Sequence, residues 1–147
     1  MPGLPSAILF SCSMNSVRSP MAAAIMRHFH GQHVYVDSAG VRAGPLDPFM
    51  VAAMDEIGID LTRHRAKSFD ELDDDYFDLI VTLSPEAHHT ALELTRTMAC
   101  DVEFWPTLDP TAVEGSREIR LDAYRDVRDS LMQRIAARFP RGPAAEV

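Results

Sequence analysis

The stretch Ala7-Ile8-Leu9-Phe10-Ser11-Cys12-Ser13-Met14-Asn15-Ser16-Val17-Arg18-Ser19-Pro20-Met21-Ala22-Ala23-Ala24-Ile25-Met26 decides the reading of this chain. Ala7–Ser11 is a short apolar run that reads as a buried strand, and Met21–Met26 reads as a helix. Between them, on the strand-to-helix turn, stand a thiol at Cys12 and a guanidinium at Arg18. A helix N-terminus leaves about four N–H groups without internal acceptors. It also carries roughly half a positive charge, and together these make an anion site. Pro20 suits the first helical position, and Ser19 before it suits an N-cap. Arg18 adds a planar fork of donors that grips two oxygens of a phosphate-like group. Asn15 tolerates the left-handed backbone that an anion nest needs. Cys12 is the nucleophile candidate, because a helix N-terminus, an arginine and a hydroxyl all favour the thiolate. Ser19 is the local donor to its sulfur. A lone cysteine ending a strand is usually a small packed hydrophobe; the full string of Cys, Asn and Arg-Ser-Pro is more specific than that.

Composition fits a single domain spanning residues 1–147, with residues 141–147 expected to fray. A chain of this length buries about two-thirds of its unfolded surface, enough for a core without staples. No apolar run approaches the roughly 20 residues that span a bilayer. Met1-Pro2-Gly3-Leu4-Pro5 lacks a basic n-region, so no secretory leader is expected. The two cysteines are far apart and suggest no disulfide framework. A cytoplasmic setting is expected, and it suits a working thiolate. The net charge of −8 argues against nucleic acid as a partner and against long-range attraction of phosphates. An anion site here must work through local donors. Asp70–Asp75 reads as a solvated acidic surface without the ligand spacing of a cation site.

Along the chain, strands and helices alternate, which signals parallel βαβ units. Strands are expected at Ala7–Ser11, Val34–Asp37, Leu79–Leu83 and Val102–Trp105. Helices are expected from Pro20 to His30 with Gly31 as the stop, from Pro48 to Ile57 with Asp47 as the cap, and from Ser84-Pro85 towards Met98. A last helix covers Leu121–Arg138, with Tyr124, Val127, Leu131 and Ile135 at core spacing. Ser68 suits the cap of a short acidic helix. In open parallel sheets, ligands sit at the carboxyl ends of strands near a switch point. Cys12 lies at such an end, and so does the loop holding Asp109.

These residues carry a resemblance. Ile8–Cys12 followed by Asn15 and Arg18-Ser19-Pro20-Met21-Ala22 resembles the low-molecular-weight protein tyrosine phosphatases, and equally the arsenate reductases that share their fold. Asp37-Ser38-Ala39-Gly40, Gly58-Ile59-Asp60-Leu61 and Leu108-Asp109-Pro110 extend the likeness over most of the chain. It implies a three-layer α/β fold, a four-stranded parallel sheet with helices on both faces. It implies Cys12, Arg18 and Asp109 as the catalytic set. Ser13, Met14, Asn15, Ser16, Val17 and Ser19 form the substrate-binding loop, and Ser38 supports it through Asn15. Without the resemblance, Asp109 before Pro110 is an ordinary turn residue; with it, Asp109 is the general acid, ahead of Asp101 and Asp122. Cleavage then runs through a phosphocysteine with no cofactor and no metal. The partner is a phosphorylated protein or a small phosphate ester, with no nucleic acid or membrane, and the chain is a monomer or weak dimer.

The chain also departs from that pattern. Thr111 and Ala112 follow Asp109-Pro110 where tyrosine phosphatases of the family usually carry two aromatics. Val41-Arg42-Ala43-Gly44 supplies no aromatic wall either; Phe49, Phe104 and Trp105 remain as substitutes. Met14 replaces a frequent loop glycine, so its side chain must point away from the anion. Val17 replaces a second loop cysteine, so no disulfide with Cys12 forms. Thr82-Leu83-Ser84 and Asp109–Gly115 look closer to the reductase branch, yet Ser84 and Ala91 stand where thioredoxin-coupled reductases carry a redox pair. Three readings follow: a phosphatase of phosphotyrosine or small aryl phosphates, an arsenate reductase using an external small thiol, and a non-catalytic module that binds phosphate or phosphoproteins. His28, His30, His33, His88 and His89 lack the spacing of a metal site, and His64 in His64-Arg65-Ala66-Lys67 has no assigned role.

Overall fold

The computed structural model describes residues 4–73 and 76–140. Residues 1–3, the stretch 141–147 read as a fraying tail, and Asp74 and Asp75 of the acidic run lie outside the described residues. Strand β1 is Ala7–Cys12, β2 Tyr35–Gly40, β3 Leu79–Thr82 and β4 Asp101–Phe104. Helix α1 is Arg18–His30, α2 Pro48–Asp55, α3 Pro85–Leu94 and α4 Arg117–Arg138, with short 3-10 turns at Phe69–Glu71 and Pro110–Ala112. The strands form one parallel sheet in the order β2-β1-β3-β4. The chain therefore leaves β1 to one side for β2 and returns to the other for β3 and β4. That reversal puts the switch point at the carboxyl end of β1, where Cys12 sits.

Alternation along β1 divides the core. Ile8, Phe10 and Cys12 face a large cluster built with α1, α2 and α4. Ala7 and Leu9 face a smaller one with Ile80 and, from α3, Ala91. β1 is buried at every position, as expected of a central parallel strand. Tyr124, Val127, Leu131 and Ile135 of α4 are all buried, as their spacing predicts.

Several boundaries differ from the sequence reading, each for a local reason. α1 starts at Arg18, so Pro20 is its third residue and Ser19 is not the cap. The Ser19 hydroxyl is instead engaged by Cys12 and Asn15. β2 runs on through Ser38-Ala39-Gly40, which have weak strand propensity; pairing of Phe10 with Ser38 and Cys12 with Gly40 carries it there. α3 stops at Leu94, where the Thr95 hydroxyl takes the Ala91 carbonyl. α4 begins a turn early because Ser116 accepts from the Ile119 N–H. Asp47 caps α2 as read, accepting from Phe49 and Met50. Ser68 precedes the Phe69–Glu71 turn, but its side chain makes no cap bond; its backbone bridges to Gly40.

Candidate active site

The loop from Ser13 to Val17 joins β1 to α1 and wraps the switch point. Its carbonyls are tied outward. Cys12, Ser13 and Met14 oxygens accept from the N–H groups of Val41, Arg42 and Gly44. The Asn15 oxygen accepts from His64 Nε2 at 2.7 Å. Among the described residues, no acceptor takes the backbone N–H groups of Ser13 to Val17. An arc of free N–H groups with its carbonyls turned away is an anion nest.

Asn15 holds the arc. Its φ of 54° is the left-handed conformation that Asn accepts most readily among non-glycine residues. Its side chain is fully buried and saturated. Nδ2 donates to Ser19 Oγ at 2.8 Å and to Ser38 Oγ at 3.0 Å, and Oδ1 accepts from the Lys67 N–H at 3.0 Å. Those two donations fix the serine protons. The Ser19 oxygen already accepts from Asn15, so its O–H is free for Cys12 Sγ, 3.0 Å away. The sulfur thus has a hydrogen-bond donor that is oriented before any ligand arrives.

Gly40 lies against this loop. A Cβ there would stand 2.7 Å from the Asn15 nitrogen and 2.6 Å from the Arg42 oxygen, so only glycine fits the approach. His64 presses on the other side. Burial pushes its pKa down, and Nε2 is the donor because its partner is a carbonyl oxygen.

Arg18 is nearly buried and donates from Nη1 to the Thr107 carbonyl at 3.0 Å. Its Nη2 lies 3.9 Å from Asp109 Oδ2. Asp109 is half exposed, and its other oxygen is occupied by the Thr111 N–H at 3.0 Å and hydroxyl at 2.7 Å. One carboxylate oxygen is therefore clamped, and Oδ2 faces the guanidinium and the cleft.

The cleft over Cys12 has a volume of about 430 Å³ and is lined mainly by carbon. Leu46, Phe49, Tyr124 and, from the loop, Met14 line it, together with Asp109, Thr111 and Arg120, whose guanidinium lies over the Phe49 ring. Phe49 and Tyr124 stack with centroids 5.3 Å apart. The Tyr124 hydroxyl donates to Asp47 Oδ2 at 2.7 Å, and burial pushes its pKa up.

The structure brings together Cys12, Arg18, Asp109 and the Ser13–Val17 loop, and it sets Ser38 against Asn15 through their hydrogen bond. Asp101 opens β4 at the opposite end of the parallel sheet, and Asp122 pairs with Arg125. Of the three substitute aromatics, Phe49 faces the cleft. Trp105 is buried against Phe10, and Phe104 stacks on His88. Met14 lines the cleft edge, its chain packed over Gly44. Tyr124, Arg120 and His64 were not read as site residues. Tyr124 has perfect core spacing, and no local signal separates it from Val127. Ser84 is buried and accepts from Ser13 Oγ at 3.0 Å. Cys100 immediately precedes β4, so the sheet puts it at the far end from Cys12. Among the described residues no group of three His, Cys, Asp or Glu side chains converges for a metal, and no helix is long and apolar enough to cross a membrane.

A family model described as low molecular weight phosphotyrosine protein phosphatase matches residues 7–138. An arsenate reductase of Halalkalibacterium halodurans is 34% identical over 128 residues, covering 87% of this chain and 91% of that protein. An arsenate reductase of Bacillus subtilis is 33% identical over 132 residues, with the same coverage of 87% and 91%. The crystal structure of the low molecular weight protein tyrosine phosphatase from T. tengcongensis superposes with a TM-score of 0.71 at 26% identity, over 86% of this chain and 92% of that one.

Proposed function

The chain belongs to the low molecular weight phosphotyrosine protein phosphatase family, and we propose that it is a cysteine-dependent phosphatase of aryl phosphate monoesters, phosphotyrosine among them. One observation carries the reading: the thiol with its pre-set donor, the guanidinium and a half-clamped carboxylate all open on one carbon-lined cleft. In the first step Cys12 Sγ attacks phosphorus while Arg18 and the loop N–H groups hold the equatorial oxygens. Asp109 Oδ2 gives its proton to the departing phenol oxygen. In the second step Asp109 takes a proton from water, which attacks the phosphocysteine and frees the sulfur. The wall of Leu46, Phe49 and Met14 suits an aromatic leaving group.

The relatives named arsenate reductase keep a second reading open. Reducing arsenate takes two electrons, so a thiol must attack the sulfur of the arseno-cysteine. Ser84 and Ala91 supply none, and Cys100 lies at the wrong end of the sheet, with its thiol pushed up by burial and by Asp101 and Asp78. A reductase reaction here would need an external thiol.

The test compares 4-nitrophenyl phosphate hydrolysis with glutathione-dependent arsenate reduction on one preparation of wild type and of Cys12→Ser. Hydrolysis that disappears in Cys12→Ser supports the phosphatase. Arsenite formation without hydrolysis overturns it in favour of the reductase. Vanadate binding with neither activity leaves a phosphate-binding module.

A further inference from the structure

The cleft has a cationic rim that the phosphoryl-transfer steps do not use. Arg117 and Arg120 lie on the first turn of α4, both exposed and both against the Phe49 ring, with guanidinium carbons 5.8 and 4.6 Å from its centroid. Arg120 also lines the cleft with Cys12 and Asp109. Farther along the same helix, three arginines are matched to acids, while Arg134 lies over the Trp105 ring. Arg125 holds Glu56, Glu118 and Asp122; Arg128 holds Glu56 and Asp129; Arg138 holds Glu103. Among the described residues, neither Arg117 nor Arg120 has a carboxylate partner within ion-pair distance. In a chain of net charge −8, two arginines without a carboxylate partner stand side by side at the mouth of an anion cleft, where a ligand can reach both. Contact with the Phe49 ring holds both guanidiniums at the cleft mouth, and a guanidinium takes a carboxylate through its fork of N–H donors.

We propose that Arg117 and Arg120 are specificity-determining residues that select aryl phosphates bearing a carboxylate beyond the phenyl ring. The inference rests on the phosphatase reading and names its substrate class. The ring lies along Phe49, the phosphate sits in the Ser13–Val17 loop, and the carboxylate meets the arginine edges. The same chemistry comes from two sources: an acidic side chain beside phosphotyrosine in a peptide, or a small aromatic acid phosphate.

Two substrate pairs separate the sources. One is a phosphotyrosine peptide with flanking glutamates against its glutamine counterpart. The other is carboxyphenyl phosphate against carbamoylphenyl phosphate. The readout is the kcat/KM ratio within each pair, for wild type and for Arg117→Gln/Arg120→Gln. The wild type is expected to prefer the acidic partner by about fivefold in at least one pair, with the preference falling as salt rises. The double variant brings that ratio close to one, and Arg117→Lys/Arg120→Lys restores part of it. A preference in the peptide pair alone assigns the peptide source, and one in the small pair alone assigns the small acid. A wild-type ratio of one in both pairs overturns the proposal, as does a ratio that survives the double glutamine variant. The same pairs are titrated calorimetrically onto Cys12→Ser. If wild type hydrolyses neither ester but Cys12→Ser binds the acidic one more tightly through the arginines, the phosphatase reading fails and the rim assignment stands.

Discussion

At the residue scale, three side chains divide the chemistry and each makes a separate prediction. Asp109 has one oxygen held by Thr111 and one facing Arg18. Asp109→Asn keeps the shape and removes the proton. It is expected to slow esters of poorly acidic phenols by about a hundredfold or more, and esters of good leaving groups far less. Equal slowing across a leaving-group series would remove Asp109 as the acid. Thr111→Val keeps the backbone donor and loses the hydroxyl. It is expected to steepen the same leaving-group dependence by a smaller factor, roughly three- to tenfold for the poorest group. An unchanged series would show that the Thr111 hydroxyl does not position the acid. Cys12 and Arg18 were legible as candidates because they stand in one contiguous string, while Ser38 was named only through the family resemblance. Phe49 was named only as one of three substitute aromatics and Tyr124 only as core, because an aromatic at helical spacing looks the same whether its helix turns it to the core or to a cleft. Tyr124 does both, with its ring buried and its hydroxyl spent on Asp47.

At the element scale, the loop depends on where β2 ends. Its last residue, Gly40, pairs with Cys12 and leaves no room for a Cβ against Asn15. Gly40→Ala must displace backbone, so it is expected to cost about 1–3 kcal/mol and to weaken vanadate inhibition. Urea unfolding and inhibition curves measure the two effects, and wild-type vanadate affinity would show that the loop is not set by this contact. At the other end of the site, Ser116 starts α4 by accepting the Ile119 N–H at 3.2 Å. Ser116→Ala is expected to lower stability by about 1 kcal/mol. A thermal midpoint that does not move would mean that the cap is replaced by water. Both features escaped the sequence reading because each depends on a neighbour distant in sequence or on backbone geometry: nothing near Gly40 in the chain says that Asn15 will lie against it, and a serine such as Ser116 caps a helix only where the backbone turns to meet it.

At the scale of the whole molecule, ion pairs tie the helices to one another and to the sheet. Glu56, closing α2, receives Arg125 and Arg128 from α4, and their hydrogen bonds hold its pKa down from 4.5 to about 2. A carboxylate depressed by folding stabilises the fold above its unfolded value and loses that contribution as pH falls through its folded one. Stability is therefore expected to decline as pH drops from about 4.5 to about 2, and Glu56→Gln flattens that decline and lowers stability at pH 7. Urea midpoints across that range measure it, and parallel curves for the two proteins would exclude the clasp. Salt should weaken it, since the pairs lie at the surface. The alternation of strand and helix, and the string from Ala7 to Met26, determined by themselves the parallel sheet and the anion loop at its carboxyl edge. Both follow from local propensity and from the helix N-terminus. The walls and the cationic rim of the cleft were decided only by tertiary structure. They depend on how α2 and α4 rotate against the sheet, and that rotation is set by packing of the whole core rather than by any short run of residues.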